Sequence, residues 1–162
     1  MQGPLQVFSK LLPLKNVYAH CDIPCGIYDP YQAQVAAHSV LRMTQLISEA
    51  KSDDPKLLAH DVARFTKVKE DHAELVKHEV RVIWGDYFKE EQLKEYPDLH
   101  ALVFRIMKLA SKARQHVDES AALELLSAVQ EFSEIFLKTK GVTPIRVPSI
   151  YPTGLEMVVY KK

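Results

Sequence analysis

Beyond residue 30, apolar positions recur at helical spacing almost without interruption until about residue 140. Ala36, Val40, Met43, Ile47 and Ala50 are separated by steps of four, three, four and three, which predicts an amphipathic helix. Asp29 and Pro30 stand before it as a capping carboxylate and a first-turn proline. Ser52-Asp53-Asp54-Pro55 repeats that start signal. The longest stripe follows, with Leu58, Val62, Phe65, His72, Val76, Val80, Ile83 and Tyr87, and ends near Phe88. A charged connector over residues 89–96 leads to Pro97 and a third stripe of Leu99, Val103, Ile106, Ala110 and Ala113. The polar turn His116-Val117-Asp118 separates it from a fourth, made of Ala122, Leu125, Val129, Phe132 and Phe136.

Four helices with one apolar face each and short connectors predict an all-α fold, an antiparallel four-helix bundle over residues 31–140. Residues 141–162 contain Pro144, Pro148 and Pro152, which exclude helix. Segments 145–150 and 155–160 therefore read as an extended, partly apolar tail, expected to pack along its own subunit or a neighbour.

Composition narrows the class without naming it. A chain of 162 residues, 47% apolar and 26% charged, is long enough for one soluble domain with its own core. No apolar run is long enough to span a bilayer, which argues against an integral membrane protein. Basic and acidic residues balance at 21 each, without a basic block, which argues against nucleic acid as a partner. Two cysteines are too few for a disulfide scaffold.

Residues 1–19 carry Lys10 and Lys15 and no acid. They close on Val17-Tyr18-Ala19, whose small residues resemble a signal-peptidase site. Lys10, Pro13 and Lys15 interrupt the apolar run that a secretory signal needs, so a removable pro-segment of another kind fits better. Its removal leaves 19 basic against 21 acidic residues.

The chemistry is concentrated in residues 20–30. His20 is followed by Cys21 and, four positions later, by Cys25, the only cysteines in the chain. Pro24, Gly26 and Pro30 force a compact, non-helical loop. If cleavage after Ala19 freed the amino group of His20, that nitrogen, the Cys21 amide nitrogen and the Cys21 sulfur would form two fused five-membered chelate rings. Cys25 would supply a second sulfur. Such an N₂S₂ set is close to planar and suits nickel(II) or copper(II), whereas two thiolates exclude hard ions. Two thiolates and a deprotonated amide would favour one-electron chemistry over hydrolysis, because an electron-rich site is a poor Lewis acid. On spacing alone, a redox-switch disulfide and two plain reduced thiols stay open beside a metal site. The C-x₂-C spacing of zinc ribbons is absent. A di-iron bundle is not supported, since no glutamate has a histidine three positions later. His38, His60, His78, His100 and His116 are scattered and read as surface or packing residues.

Residues His20 to Pro30 resemble the metal hook of the nickel superoxide dismutase family, which reads His-Cys-Asp-x-Pro-Cys-Gly-x-Tyr-Asp-Pro. The similarity continues through His72-Ala73-Glu74-Leu75, Trp84-Gly85-Asp86-Tyr87-Phe88 and Tyr96-Pro97-Asp98-Leu99-His100. The resemblance implies a homohexamer of four-helix bundles, made with an N-terminal extension that a processing protease removes at the Ala19–His20 bond. It implies one nickel ion per subunit, held by His20 (amine and imidazole), Cys21 (amide nitrogen and sulfur) and Cys25 (sulfur). Asp22 would brace the hook, Pro24 and Gly26 would turn it with a cis Ile23–Pro24 bond, and Tyr28 and Tyr87 would line the substrate approach. The reaction would be disproportionation of superoxide, and reduced thiols imply a cytoplasmic location. One departure stands out. Where some members pair a glutamate with an arginine to orient the axial imidazole, this chain has Ala36 and His72. His72 is then a candidate support for His20, against the alternative of a core histidine. Two other functional classes are a nickel or copper carrier without turnover and a helical sensor using a Cys21–Cys25 disulfide.

Overall fold

The computed structural model describes residues 26–161, so residues 1–25, including Cys21 and Cys25, lie outside the description. Within it the chain forms α1 (Tyr31–Glu49), α2 (Pro55–Val82), a π-helical turn (Ile83–Tyr87), α3 (Glu90–Glu95), α4 (Leu99–Gln115) and α5 (Glu119–Thr139). Two strands follow, β1 (Thr143–Pro148) and β2 (Glu156–Lys161). The start signal at Asp54-Pro55 acts as the sequence suggests, and the one at Asp29-Pro30 is displaced by one residue. Asp54 Oδ1 accepts the Lys56 N–H at 2.8 Å with Pro55 at the first helical position, and Asp118 Oδ1 accepts the Ala121 N–H at 2.9 Å. At α1 the capping position is Pro30, while Asp29 Oδ1 accepts the Tyr31 N–H at 2.8 Å.

Helix α1 packs on α2 and α5, and α4 packs on the same two helices. One contiguous core joins them, with Val40 and Leu41 of α1, Val76 and Val80 of α2, Ile106 of α4, and Leu125 and Phe132 of α5. Each fully buried side chain of that size contributes roughly 1.5–3 kcal/mol. Every residue of the third and fourth predicted stripes is buried. The second stripe differs: Leu58, Val62 and Phe65 are only half-buried, whereas Lys69, on the same face, is 2% exposed. Its Nζ donates to the Ala113 carbonyl at 2.9 Å and the His116 carbonyl at 2.6 Å, so it closes the C-terminal end of α4. Burial pushes this ammonium below its usual range.

Two segments depart from the sequence reading. The charged connector contains the short helix α3, started by Glu90 and Glu91 and by Gln92 Oε1 accepting the Lys89 N–H at 2.9 Å. Regular α-helical pairing also stops at Val82, earlier than the expected end near Phe88, and the chain widens into the π turn. The Phe88 N–H there reaches the Ile83 carbonyl at 3.4 Å. Gly85 sits within this turn, where helix propensity is low.

The tail is a hairpin folded back on the helices. Thr143 pairs with Lys161 and Pro148 with Glu156 in antiparallel register. Gln34 of α1 grips Val158 at both backbone groups: its Nε2 donates to the Val158 carbonyl at 3.0 Å, and its Oε1 accepts the Val158 N–H at 2.7 Å. Gln130 Nε2 donates to the Glu156 carbonyl at 2.7 Å. Val158 therefore turns its backbone away from β1, as does its register partner Arg146 away from β2, and by the alternation of the ladder so do Pro144 and Pro148. Prolines thus remove two of the three N–H groups that the free edge of β1 would expose. Residues that exclude helix in the sequence also guard a strand edge.

His38 fastens the same hairpin. It is 3% exposed, with Nδ1 2.8 Å from Thr153 Oγ1, Nε2 3.2 Å from the Glu156 carbonyl and Tyr151 edge-on at 5.1 Å. A carbonyl can only accept, so Nε2 carries the proton and the Thr153 hydroxyl donates to Nδ1. Burial lowers the His38 pKa, outweighing the upward pull of the Glu156 carbonyl. The docked hairpin thus favours neutral imidazole. Its docking is strongest above about pH 6.5, where an unperturbed histidine is already neutral, and weakens as pH falls below that value. We expect the hydrogen-exchange protection factor of the Val158 amide to drop several-fold between about pH 7.5 and 5.5. In His38→Gln this drop should vanish; an equal drop in the variant would place the pH response elsewhere.

Candidate metal centre

The structure describes the chain from Gly26, directly after the segment that carries both cysteines. Gly26, directly after Cys25, holds φ at +72°, a backbone conformation that only glycine adopts freely. The chain then runs through Tyr28 to buried Pro30 at the head of α1. Tyr28 and Tyr87, distant in sequence, come together with ring centroids 5.7 Å apart. Tyr87 is the last residue of the π turn. Tyr87 also packs against Phe88 at 5.2 Å and Phe136 at 4.8 Å.

The Tyr87 hydroxyl lies 2.9 Å from Thr139 Oγ1, which itself donates to the Phe136 carbonyl at 2.7 Å. With the threonine proton committed there, Tyr87 must be the donor in the first contact. Lys140 completes the cluster. Its Nζ stands 4.4 Å over the Tyr87 ring and 3.5 Å from the Gly26 carbonyl. Sequence reading missed this lysine, because nothing in the local pattern of residues 138–140 distinguishes it from a solvated end of a helix.

Two of the segments that carry the family resemblance meet through one further contact. Trp84 Nε1 donates to His100 Nδ1 at 3.0 Å, with the rings edge-to-face at 5.5 Å. The indole has no acceptor, so His100 offers a bare Nδ1 there. This contact ties the π turn to the first turn of α4 and steadies the support of Tyr87.

His72 is not part of this cluster. It is half-buried on α2, fifteen residues before Tyr87 or about 22 Å along a helix. Its Nδ1 donates to the Val68 carbonyl of its own helix at 2.8 Å. It is therefore neither a fully buried core residue nor a neighbour of Tyr87. Ala36 is fully buried in the core. Among the other histidines, His38 is the one that sequence reading undervalued: it is a buried clasp for the hairpin.

His20, Cys21, Asp22, Pro24, Cys25 and the Ala19–His20 bond lie outside the described residues. Among the described residues, no group of three or more His, Cys, Asp or Glu side chains could hold a metal ion. The sequence immediately before Gly26 holds the residues that could: two thiols, joined by a terminal amine if residues 1–19 were removed. Soft sulfur with nitrogen fits nickel. Among the described residues, no helix is long and apolar enough to cross a membrane.

Comparison with known proteins agrees with this chemistry. The sequence pattern of nickel-containing superoxide dismutase matches residues 15–140. A Streptomyces coelicolor protein named superoxide dismutase [Ni] is 41% identical over 128 residues, which is 79% of this chain and 93% of the relative. Its namesake in Streptomyces seoulensis is 40% identical over the same length. A native nickel superoxide dismutase structure superposes with a TM-score of 0.67 at 40% identity, covering 75% of this chain and 99% of the other. An apo structure of nickel superoxide dismutase gives 0.65 at 38% identity, covering 72% and 99%. On a match of this extent, the chain belongs to the nickel-containing superoxide dismutase family.

Proposed function

We propose that the chain is a precursor which, after cleavage at Ala19–His20, disproportionates superoxide to dioxygen and hydrogen peroxide. The observation that carries this reading is the placement of Tyr28, Tyr87 and Lys140 around the exit of a loop holding both cysteines. His20, Cys21 and Cys25 would hold one nickel ion per subunit. When bound, nickel supplies one-electron chemistry through its Ni(III)/Ni(II) couple.

The chain's own residues set the conditions for that chemistry. Two superoxide anions and two protons give one dioxygen and one hydrogen peroxide, so each cycle needs a negative ion drawn in and protons delivered. Lys140 places a positive charge against the Gly26 carbonyl, where it raises the local concentration of an anion. The tyrosine pair narrows the approach and can order water for proton delivery. Asp22 would brace the hook, and ordered water would support the His20 imidazole in place of the missing glutamate–arginine pair, since His72 lies away from Tyr87 and donates to its own helix. The assembled protein would be a cytoplasmic homohexamer of antiparallel four-helix bundles, as the family resemblance implies. The pairwise packing of α1, α2, α4 and α5 supports that bundle.

The decisive experiment loads nickel into protein beginning at His20 and follows superoxide decay. Turnover with one nickel per chain is expected. Stoichiometric nickel without turnover would make the protein a carrier, and oxidant-dependent loss of both thiols without nickel would make it a sensor. Replacing Lys140 with methionine tests the steering role separately. We expect kcat/KM for superoxide to fall about three- to tenfold at low salt, with a flatter dependence on ionic strength than in the unaltered protein. An unchanged salt dependence would remove Lys140 from the approach.

A further inference from the structure

The loop over residues 149–155, which joins β1 to β2, lies beyond the family match, which ends at residue 140. It is internally braced. The Tyr151 N–H donates to Ser149 Oγ at 3.2 Å, the Gly154 N–H to the Tyr151 carbonyl at 3.0 Å, and the Ser149 N–H to the Leu155 carbonyl at 3.2 Å. Pro148 and Pro152 fix the backbone on both sides of its tip. The Tyr151 hydroxyl also meets that of Tyr31 on α1 at 3.1 Å. On this braced tip Ile150 is 99% exposed. Beside it, between the loop and α1, lies a mainly apolar cavity of about 170 Å³, walled by Val35, Met43, Tyr151 and Pro152 with Arg42 alongside.

We propose that this loop is a homotypic contact: Ile150 of one copy seats in the cavity of a second copy, and the second copy's loop does the same in return. Knob and hole sit side by side on one chain, so a two-fold arrangement engages both at once, as an isologous interface requires. Size agrees, because an apolar cavity of about 150 Å³ accommodates a benzene ring. The braced loop presents its isoleucine already ordered, which lowers the entropy lost on association. Strand addition is a poor alternative, since Pro144 and Pro148 block the free edge of β1. The contact adds to whatever assembly residues 20–140 support and does not depend on the metal.

The test is sedimentation of the full chain across a concentration series, with and without Ile150→Asp. Ile150 touches nothing in its own chain that folding depends on, and circular dichroism of the variant should be unchanged. With two isoleucines lost from each interface, we expect one association step to weaken about 100-fold or more, leaving a species of lower mass. A photo-crosslinking residue at position 150 should join two copies, with the adduct within residues 35–43 or 151–153. Identical sedimentation of the two proteins would overturn the proposal. So would a cross-link mapped to another polypeptide or to a different face.

Discussion

Cys25→Ser should abolish nickel retention and superoxide consumption together while leaving the helices unchanged. On the proposed ligand set the Cys25 donor is a thiolate, and a serine hydroxyl does not ionise near neutral pH, so the variant would lose one of two soft anionic donors. Altering a residue that only supports a ligand already costs about 10–100-fold in metal affinity, so losing a ligand itself should exceed about 100-fold. The scaffold has no reason to respond. Helix α1 begins six positions later with Asp29 on the Tyr31 N–H, and among the described residues the buried apolar core begins at Ala33. Metal analysis, superoxide decay and far-ultraviolet circular dichroism on one preparation check this. Retained nickel and activity would mean that the Cys25 sulfur is not a ligand. Lost helicity would mean that residue 25 supports the fold.

The helices were legible because their signals are local. Asp54-Pro55 and Asp118 act as caps where the sequence puts them, and the stripes of α4 and α5 are the buried faces. What sequence pattern could not supply was long-range. Lys69 lies on the buried stripe of α2, but its charge hides it, and only the carbonyls at the end of α4 explain why an ammonium is buried there. Gln34 belongs to no pattern and His38 reads only as a surface or packing residue, yet both are buried because a hairpin more than a hundred residues later lies over them. The same holds at the candidate centre. Tyr87 was singled out by family resemblance, but its neighbour Lys140 carries no motif and emerges only when α5 ends against the loop exit. The π turn is likewise silent in periodicity, since five residues cannot separate it from an ordinary last helical turn.

The largest effect should come from a change that alters no side chain: leaving residues 1–19 attached. In the full chain the His20 nitrogen is an amide whose lone pair is delocalised into the carbonyl, so it could bind only after losing its proton, and the chelate would need two deprotonated amides in place of one amine and one amide. The Cys21 sulfur and the Cys25 sulfur remain, but two thiolates without the fused nitrogen rings lack the planar set that favours nickel. Protein kept at full length should therefore hold nickel at least about 100-fold more weakly than protein starting at His20, and should not consume superoxide. Bulk alone could mimic this, because nineteen residues could simply obstruct the loop. Acetylating the free amine of His20 separates the two causes, since it removes the donor while adding only two carbons. If the acetylated protein matches the full-length one, nitrogen chemistry governs assembly of the centre and cleavage is the step that creates it. If the acetylated protein binds nickel normally, obstruction explains the precursor and the terminal amine is not a ligand. Full-length protein that binds one nickel tightly and turns over superoxide would remove the need for cleavage altogether.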